Sequence, residues 1–102
     1  MDILDQRPID PALARAADEV LRAAVGRFGF REAKISAGPD HDGEPALFVD
    51  ALYDLSLEPV DSRATIEAQV SLHRRLRELG ETRFPYVRHR FREGQALLGA
   101  RR

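Results

Sequence analysis

The sequence predicts a small α+β domain in which two helices pack on one face of a small antiparallel sheet, in the order α-β-β-α-β. Three observations support this prediction. Two stretches place apolar residues at helical spacing, three stretches alternate apolar and polar residues, and a loop of turn-forming residues joins the first two strands. The length of 102 residues fits one domain, and 43% hydrophobic with 32% charged residues is typical of a folded chain.

The first helix is predicted to begin at Asp10 and Pro11. Aspartate accepts hydrogen bonds from free N–H groups as an N-cap, and proline suits the first helical position. Gly29 is the expected left-handed stop. The apolar residues in between recur at steps of three and four and form one stripe: Leu13, Ala17, Val20, Leu21, Ala24, Val25 and Phe28.

Residues 30–37 and 46–57 are predicted to form an antiparallel hairpin around the turn-rich loop 38–43. The second strand alternates more strongly, and its length favours a bulge or an earlier end. One face of it carries the predicted core residues Leu47, Val49, Ala51, Tyr53, Leu55 and Leu57. The other face carries Phe48, Asp50, Leu52, Asp54 and Ser56.

The second helix is predicted to start at Asp61 or Ser62 and to end before Gly80. The arginines of its last turn suit the negative end of the helix dipole. Its expected buried stripe is Thr65, Gln69, Leu72, Leu76 and Leu79, with Ile66, Val70 and His73 beside it.

A third strand is predicted over residues 84–92, with Pro85 indicating a sheet edge or a strand end. Residues 10–92 then form the single domain. We expect a flexible N-terminus over 1–9 and a frayed basic tail over 93–102.

Composition excludes several classes of site. The chain has no cysteine, so disulfides, thiolate metal sites and cysteine nucleophiles are excluded, in agreement with a reducing compartment. The first ten residues carry three acids and no long apolar run, which argues against a signal peptide. No stretch approaches the roughly 18 apolar residues of a membrane span. We therefore expect a cytoplasmic protein with no membrane partner.

Charge is distributed unevenly along the chain. The net charge of −1 predicts no general attraction to nucleic acid or membrane. Residues 1–60 carry 12 acidic and 6 basic side chains, whereas residues 61–102 carry 5 acidic and 10 basic ones. The two halves therefore have opposite signs, which favours association between acidic and basic surfaces.

The leading functional hypothesis concerns the sheet face that mixes apolar and charged residues. A half-apolar sheet face is expected to be covered by a second copy of the chain or by another protein. The hypothesis is a non-enzymatic interaction module, a homodimer or a docking protein. Its predicted interface residues are Phe48, Asp50, Leu52, Asp54, Tyr86, Arg88 and Arg90.

An alternative is a small RNA- or DNA-binding protein that uses its arginine-rich C-terminal strand. Arginines neutralise phosphates while interleaved aromatic residues stack on bases. The candidate residues are Arg74, Arg75, Arg83, Arg88, Arg90 and Arg92. The plainer interpretation of the same residues is a solvated edge strand whose charges block unwanted strand pairing.

Catalysis and metal binding have little support in the sequence. No serine or threonine lies in a nucleophile-elbow motif. The acidic turn around His41 does not have the spacing of a calcium loop, and a solvated turn is the favoured interpretation. A small oligomeric enzyme with a site at the subunit boundary stays open, with His41, His73 and His89 as the residues to test. No cofactor is expected.

Overall fold

A computed structural model describes residues 8–54 and 58–91. Its elements are helix α1 (Pro11–Val25), a 3-10 turn (Gly26–Phe28), strands β1 (Phe30–Pro39) and β2 (Pro45–Tyr53), helix α2 (Ser62–Glu78) and strand β3 (Phe84–Arg90). The predicted α+β class and the element order are confirmed. The predicted tail 93–102, and all of the predicted flexible segment except residues 8 and 9, lie outside the described residues.

The sheet is mixed, which corrects the prediction of an antiparallel sheet. Its strand order is β1-β2-β3; β1 and β2 form the expected antiparallel hairpin, but β3 runs parallel to β2. The reason is the connection between them. A helix returns the chain to the end of the sheet where β2 began, so the next strand runs in the same direction. Helix α1 contacts β1 and α2, and α2 contacts β3.

Both helices begin where the sequence predicts, but α1 ends at Val25, before the predicted stop, and the 3-10 turn Gly26–Phe28 continues from it. Oδ1 of Asp10 accepts a hydrogen bond from the backbone N–H of Ala12 at 2.8 Å, and Oδ1 of Asp61 accepts one from Ala64 at 2.8 Å. Gly29 and Gly80 adopt the left-handed φ values of 97° and 88°. Both N-caps and the stop at Gly80 are therefore confirmed, whereas Gly29 ends the 3-10 turn rather than α1 itself. Neither helix described here is long and apolar enough to cross a membrane.

The core lies between the helices and one face of the sheet. The predicted facing of β2 is confirmed over the described part: Leu47, Val49, Ala51 and Tyr53 are all 0–1% exposed. The strand ends at Tyr53, earlier than residue 57, and the bulge lies in β1 between Phe30 and Glu32. Leu55 and Leu57 lie outside the described residues.

Helix α2 buries only part of the predicted stripe: Leu72 and Leu76 are confirmed as buried, whereas Thr65 and Gln69 are half-buried and Leu79 is exposed. Its buried residues are Ala64, Ala68, Leu72 and Leu76. Three apolar residues assigned to the stripe or placed beside it are exposed: Ile66 by 63%, Val70 by 50% and Leu79 by 41%. The buried stripe begins with two alanines, which carry little hydrophobic signal, so the larger exposed side chains dominated the pattern.

An ion pair is buried at the entrance to β3. Nε of Arg83 lies 2.9 Å from Oε2 of Glu81, and its Nη2 lies 3.1 Å from Oε1. The side chains are 3% and 4% exposed. The backbone N–H of Arg83 also donates to Oε2 at 2.7 Å, so this carboxylate fixes the chain just before the strand.

Candidate functional site

The face of the sheet opposite the helices, called the open face below, carries most of the predicted interface residues. Strand pairing sets Phe48 beside Tyr86, Asp50 beside Arg88, and Leu52 beside Arg90. On the other side of β2 the same three residues pair with Ser36, Lys34 and Glu32. Phe48, Asp50 and Leu52 on this face of β2 are half-buried, in contrast to the fully buried side chains that face the helices.

An aromatic row runs across this face and around the start of β3. Its members are His73, Phe84, Tyr86 and Phe48. The ring centroids are 4.7 Å apart for His73 and Phe84, 4.8 Å for Phe84 and Tyr86, and 5.8 Å for Tyr86 and Phe48. Such offset and edge-on arrangements are the favoured geometries of aromatic pairs. The row therefore presents a continuous, partly exposed apolar surface.

Arg88 ends the row and is held in one orientation. Its guanidinium lies over the ring of Phe48, with Cζ 4.8 Å from the centroid. The same group donates to both carboxylate oxygens of Asp50, from Nε at 2.7 Å and from Nη2 at 3.2 Å. Nε of Arg90 lies 3.5 Å from Oδ1 of Asp50. One carboxylate thus neutralises much of the charge of two arginines.

Tyr86 is held from the hairpin loop. Its hydroxyl donates to Oδ2 of Asp40 at 3.0 Å, and the other oxygen of that carboxylate accepts from the backbone N–H groups of Asp42 and Glu44. The hydrogen bond from the Glu44 backbone is the main cause that lowers the pKa of Asp40. The hydrogen bond to Asp40 is the main cause that raises the pKa of Tyr86. The predicted solvated turn therefore also positions an open-face side chain.

The remaining predicted interface residues lie at the far end of the open face. Leu52 is half-buried between Glu32 and Arg90 in the strand register. Asp54 follows β2, is exposed, and lies 3.4 Å from Nε of Arg31. The residues predicted for the interface thus share one face of the sheet, except that Asp54 lies just beyond the strand, and their role as an interface stays a prediction.

The arginines of the nucleic-acid hypothesis do not form one surface. Arg88 and Arg90 lie on the open face, whereas Arg74 and Arg75 are exposed on α2. Arg83 is 4% exposed in its pair with Glu81, so it is removed from the candidate set. Arg92 lies outside the described residues.

The histidines lie on separate elements. The side chain of His41 is 86% exposed in the hairpin loop, and His73 packs on Phe84. His89 is half-buried, and its Nδ1 lies 2.7 Å from the hydroxyl of Tyr53. Among residues 8–54 and 58–91, no three histidine or carboxylate side chains come together to hold a metal ion.

Burial shifts the pKa values of both partners in the Tyr53–His89 hydrogen bond. It raises the pKa of Tyr53 well above its ordinary value of 10.0, so the phenol keeps its proton. It lowers the pKa of His89 below its ordinary value of 6.5, which favours the neutral ring. Protonation of His89 would therefore place a charge in a partly buried site.

This arrangement predicts a loss of stability in mild acid. The unfolded chain takes up a proton on His89 at higher pH than the folded chain does. The free energy of unfolding should therefore fall as pH drops below about 6.5 towards the lower pKa of the folded state. Chemical denaturation at about pH 7.5 and about pH 5.5 measures the change.

The variant His89→Gln should show less of this pH dependence than the wild type. His41→Gln is the matched control, because His41 is exposed in the hairpin loop, and it should keep the wild-type dependence. An unchanged dependence in His89→Gln would contradict the assignment.

Sequence reasoning missed the role of Gln69, which was expected in the buried stripe of α2. Its carboxamide donates to the carbonyl of Pro85 at 2.6 Å and accepts from the N–H of Val87 at 3.1 Å. The side chain thus pairs with the outer edge of β3 as a neighbouring strand would. This cap blocks strand addition at that part of the edge.

Comparison with known proteins gives no family for this chain. No protein-family model matches it, and no curated protein matches it at a significant level. The geometry of its surfaces is therefore what indicates its function.

Proposed function

We propose that this chain is a non-enzymatic interaction module that docks on another protein through its open face. The observation that carries the proposal is the array of Tyr86, Phe48, Arg88 and Asp50, held in fixed orientations on a face that neither helix covers. Tyrosine and arginine are the residue types that most often dominate the energy of protein interfaces. The cysteine-free composition agrees with our proposal that the module acts in the cytoplasm.

Preorganisation of these side chains supports the proposal. Ordering a mobile side chain on binding costs about 0.5–1.5 kcal/mol, and Tyr86 and Arg88 already have partners that restrict them. The apolar rings lie between charged groups that are themselves paired. Such a surface offers an apolar centre with a polar rim, which is the usual anatomy of a protein interface.

Nucleic acid is the second candidate, because Phe48 and Tyr86 share a face with Arg88 and Arg90. Bases stack on such rings in single-strand binding proteins. Asp50 counts against this candidate, since it pairs with both arginines and would repel a phosphate chain. Binding to nucleic acid would have to fall steeply as salt rises.

Capture from native lysate tests the proposal, using the tagged chain with and without nuclease. We expect a protein that is captured in both arms and reduced about tenfold or more by Leu52→Asp, since interface hot-spot substitutions cost about 2 kcal/mol or more. The reason is that an uncompensated carboxylate would be buried at the docking face.

The controls separate lost binding from lost folding. Ala14→Asp places the same charge on an exposed position of α1 and should leave capture unchanged. Circular dichroism must show that Leu52→Asp keeps the wild-type helix content. If Leu52→Asp loses helix content, Arg90→Glu replaces it as the test variant, because the Arg90 side chain is 55% exposed in the wild type. Capture that disappears with nuclease, or that both open-face variants retain, would contradict the proposal.

A further inference from the structure

Helix α2 presents a second apolar surface, on the side away from the core. Ile66, Val70, His73 and Arg77 follow one another at steps of four, three and four, which is the spacing of a coiled-coil seam. Ile66 and Val70 are 63% and 50% exposed. These four residues are called the α2 stripe below. A helix that exposes such a seam has the pattern that pairs with another helix.

Opposite charges flank the α2 stripe in a specific pattern. Glu67 and Arg74 are seven residues apart and occupy equivalent positions beside the seam. Both are exposed, and neither forms an ion pair with any residue of the described ranges 8–54 and 58–91. The seam is therefore bordered by one free carboxylate and one free guanidinium, which a suitable partner would pair.

The edge of β3 next to the α2 stripe is not free to accept a strand. The carboxamide of Gln69 already bonds the carbonyl of Pro85 and the N–H of Val87. An extended peptide would have to displace both hydrogen bonds. The groove between α2 and β3 is therefore better suited to a helix than to a strand.

We propose that the α2 stripe binds the α2 stripe of a second copy of this chain, with the two helices antiparallel. In this arrangement a two-fold axis passes beside Val70. A residue a given distance before the axis on one helix then lies opposite a residue the same distance after the axis on the other helix. Glu67 then faces Arg74 of the partner subunit, and Arg74 faces Glu67 of the partner subunit. Val70 of both copies lies beside the axis, and Ile66 of each copy lies towards the aliphatic stem of Arg77 of the partner subunit.

The antiparallel direction follows from the charges. In a parallel pair, Glu67 and Arg74 of one helix would lie beside residues on the other side of the seam of the partner helix. On that side the chain carries Ser62 and Gln69, which are uncharged. Only the antiparallel pair matches carboxylate with guanidinium twice. The long aliphatic stem of Arg77 can extend over the apolar centre while its charge stays in water.

This inference goes beyond the proposed function, because it uses another surface. The α2 stripe shares His73 with the end of the aromatic row, but Ile66, Val70 and Arg77 lie on α2 and take no part in the array of Tyr86, Phe48, Arg88 and Asp50 on the open face. A dimer formed through α2 would present two open faces at once. Docking through two sites raises avidity without any new contact within either site.

Charge reversal with restoration tests the α2 dimer. Sedimentation velocity over about 1 μM to about 1 mM should show a dimer fraction that rises with concentration. Glu67→Arg and Arg74→Glu alone should each weaken the dimer about tenfold, because two attractive pairs become two repulsive ones. The double variant restores opposite charges across the axis and should return to the wild-type dissociation constant.

Two further variants make the result specific. Glu19→Arg makes the same charge change on an exposed position of α1 and should leave the dimer intact. Leu52→Asp on the open face should also leave it intact, even where it abolishes docking. A monomer at every concentration, a dimer indifferent to Glu67→Arg, or a double variant that stays weak would each overturn the proposal. So would a dimer lost in Leu52→Asp alone.

Discussion

Replacing Glu81 with glutamine is expected to lower the free energy of unfolding by about 3–5 kcal/mol. The wild-type carboxylate is buried with the guanidinium of Arg83, and the two side chains are 4% and 3% exposed. The substitution keeps the shape but removes the negative charge. Arginine cannot release its proton in a protein, so the guanidinium would stay buried after losing the charge of the carboxylate that it hydrogen-bonds. Urea denaturation followed by circular dichroism measures the difference.

The double variant Glu81→Gln with Arg83→Met is the control for this prediction. It replaces the guanidinium with an apolar chain of similar length and should recover part of the loss, because the buried positive charge is removed as well. A small domain has about 5–15 kcal/mol of stability in total, so the single variant is near the limit of folding. A loss below about 1 kcal/mol in Glu81→Gln would contradict the burial of this pair.

Leu72→Ala is expected to cost about 2–5 kcal/mol, whereas Ile66→Ala should change stability by about 0.5 kcal/mol or less. Leu72 is 0% exposed, so its truncation leaves a cavity, but Ile66 is 63% exposed on the opposite side of α2. The two substitutions are comparable because each removes an apolar side chain with the same number of carbon atoms from the same helix. Denaturant midpoints with unchanged slopes would measure both.

The ratio of the stability losses in Leu72→Ala and Ile66→Ala shows which side of α2 faces the core. Equal costs would mean that the helix buries both sides. A larger cost for Ile66→Ala would place the predicted neighbours of the stripe in the core, and it would remove the exposed seam on which the α2 dimer depends.

Much of the fold could be predicted because its signals are local. The caps at Asp10 and Asp61 and the left-handed glycines act within a few residues of where they lie. Alternation along β2 predicted which side chains face the helices. The same alternation placed Phe48, Asp50 and Leu52 together on the open face.

The rest depends on contacts between distant parts of the chain. The pairs Asp50–Arg88, Asp40–Tyr86 and Tyr53–His89 join residues 38, 46 and 36 positions apart, and they exist only in one register of β3. The parallel direction of β3 follows from the α2 connection, which alternation within a strand does not report.

Burial of charge was equally beyond the sequence pattern. Arg83 stands in an arginine-rich segment that suggests a surface, but it pairs with a glutamate two residues away inside the fold. Similarly, Gln69 has a polar side chain whose edge-capping role requires β3 to lie beside it. These cases depend on where a neighbouring element packs rather than on local composition.

Docking through the open face is tested most directly by mapping the surface that the captured protein partner contacts. The partner is titrated into isotope-labelled chain, and backbone amide shifts are recorded by nuclear magnetic resonance. We expect the largest changes to cluster at Phe48, Asp50, Leu52, Tyr86 and Arg88, while the shifts of α1 stay unchanged. Changes confined to α1 or α2, or no changes at a saturating concentration of partner, would contradict docking through the open face.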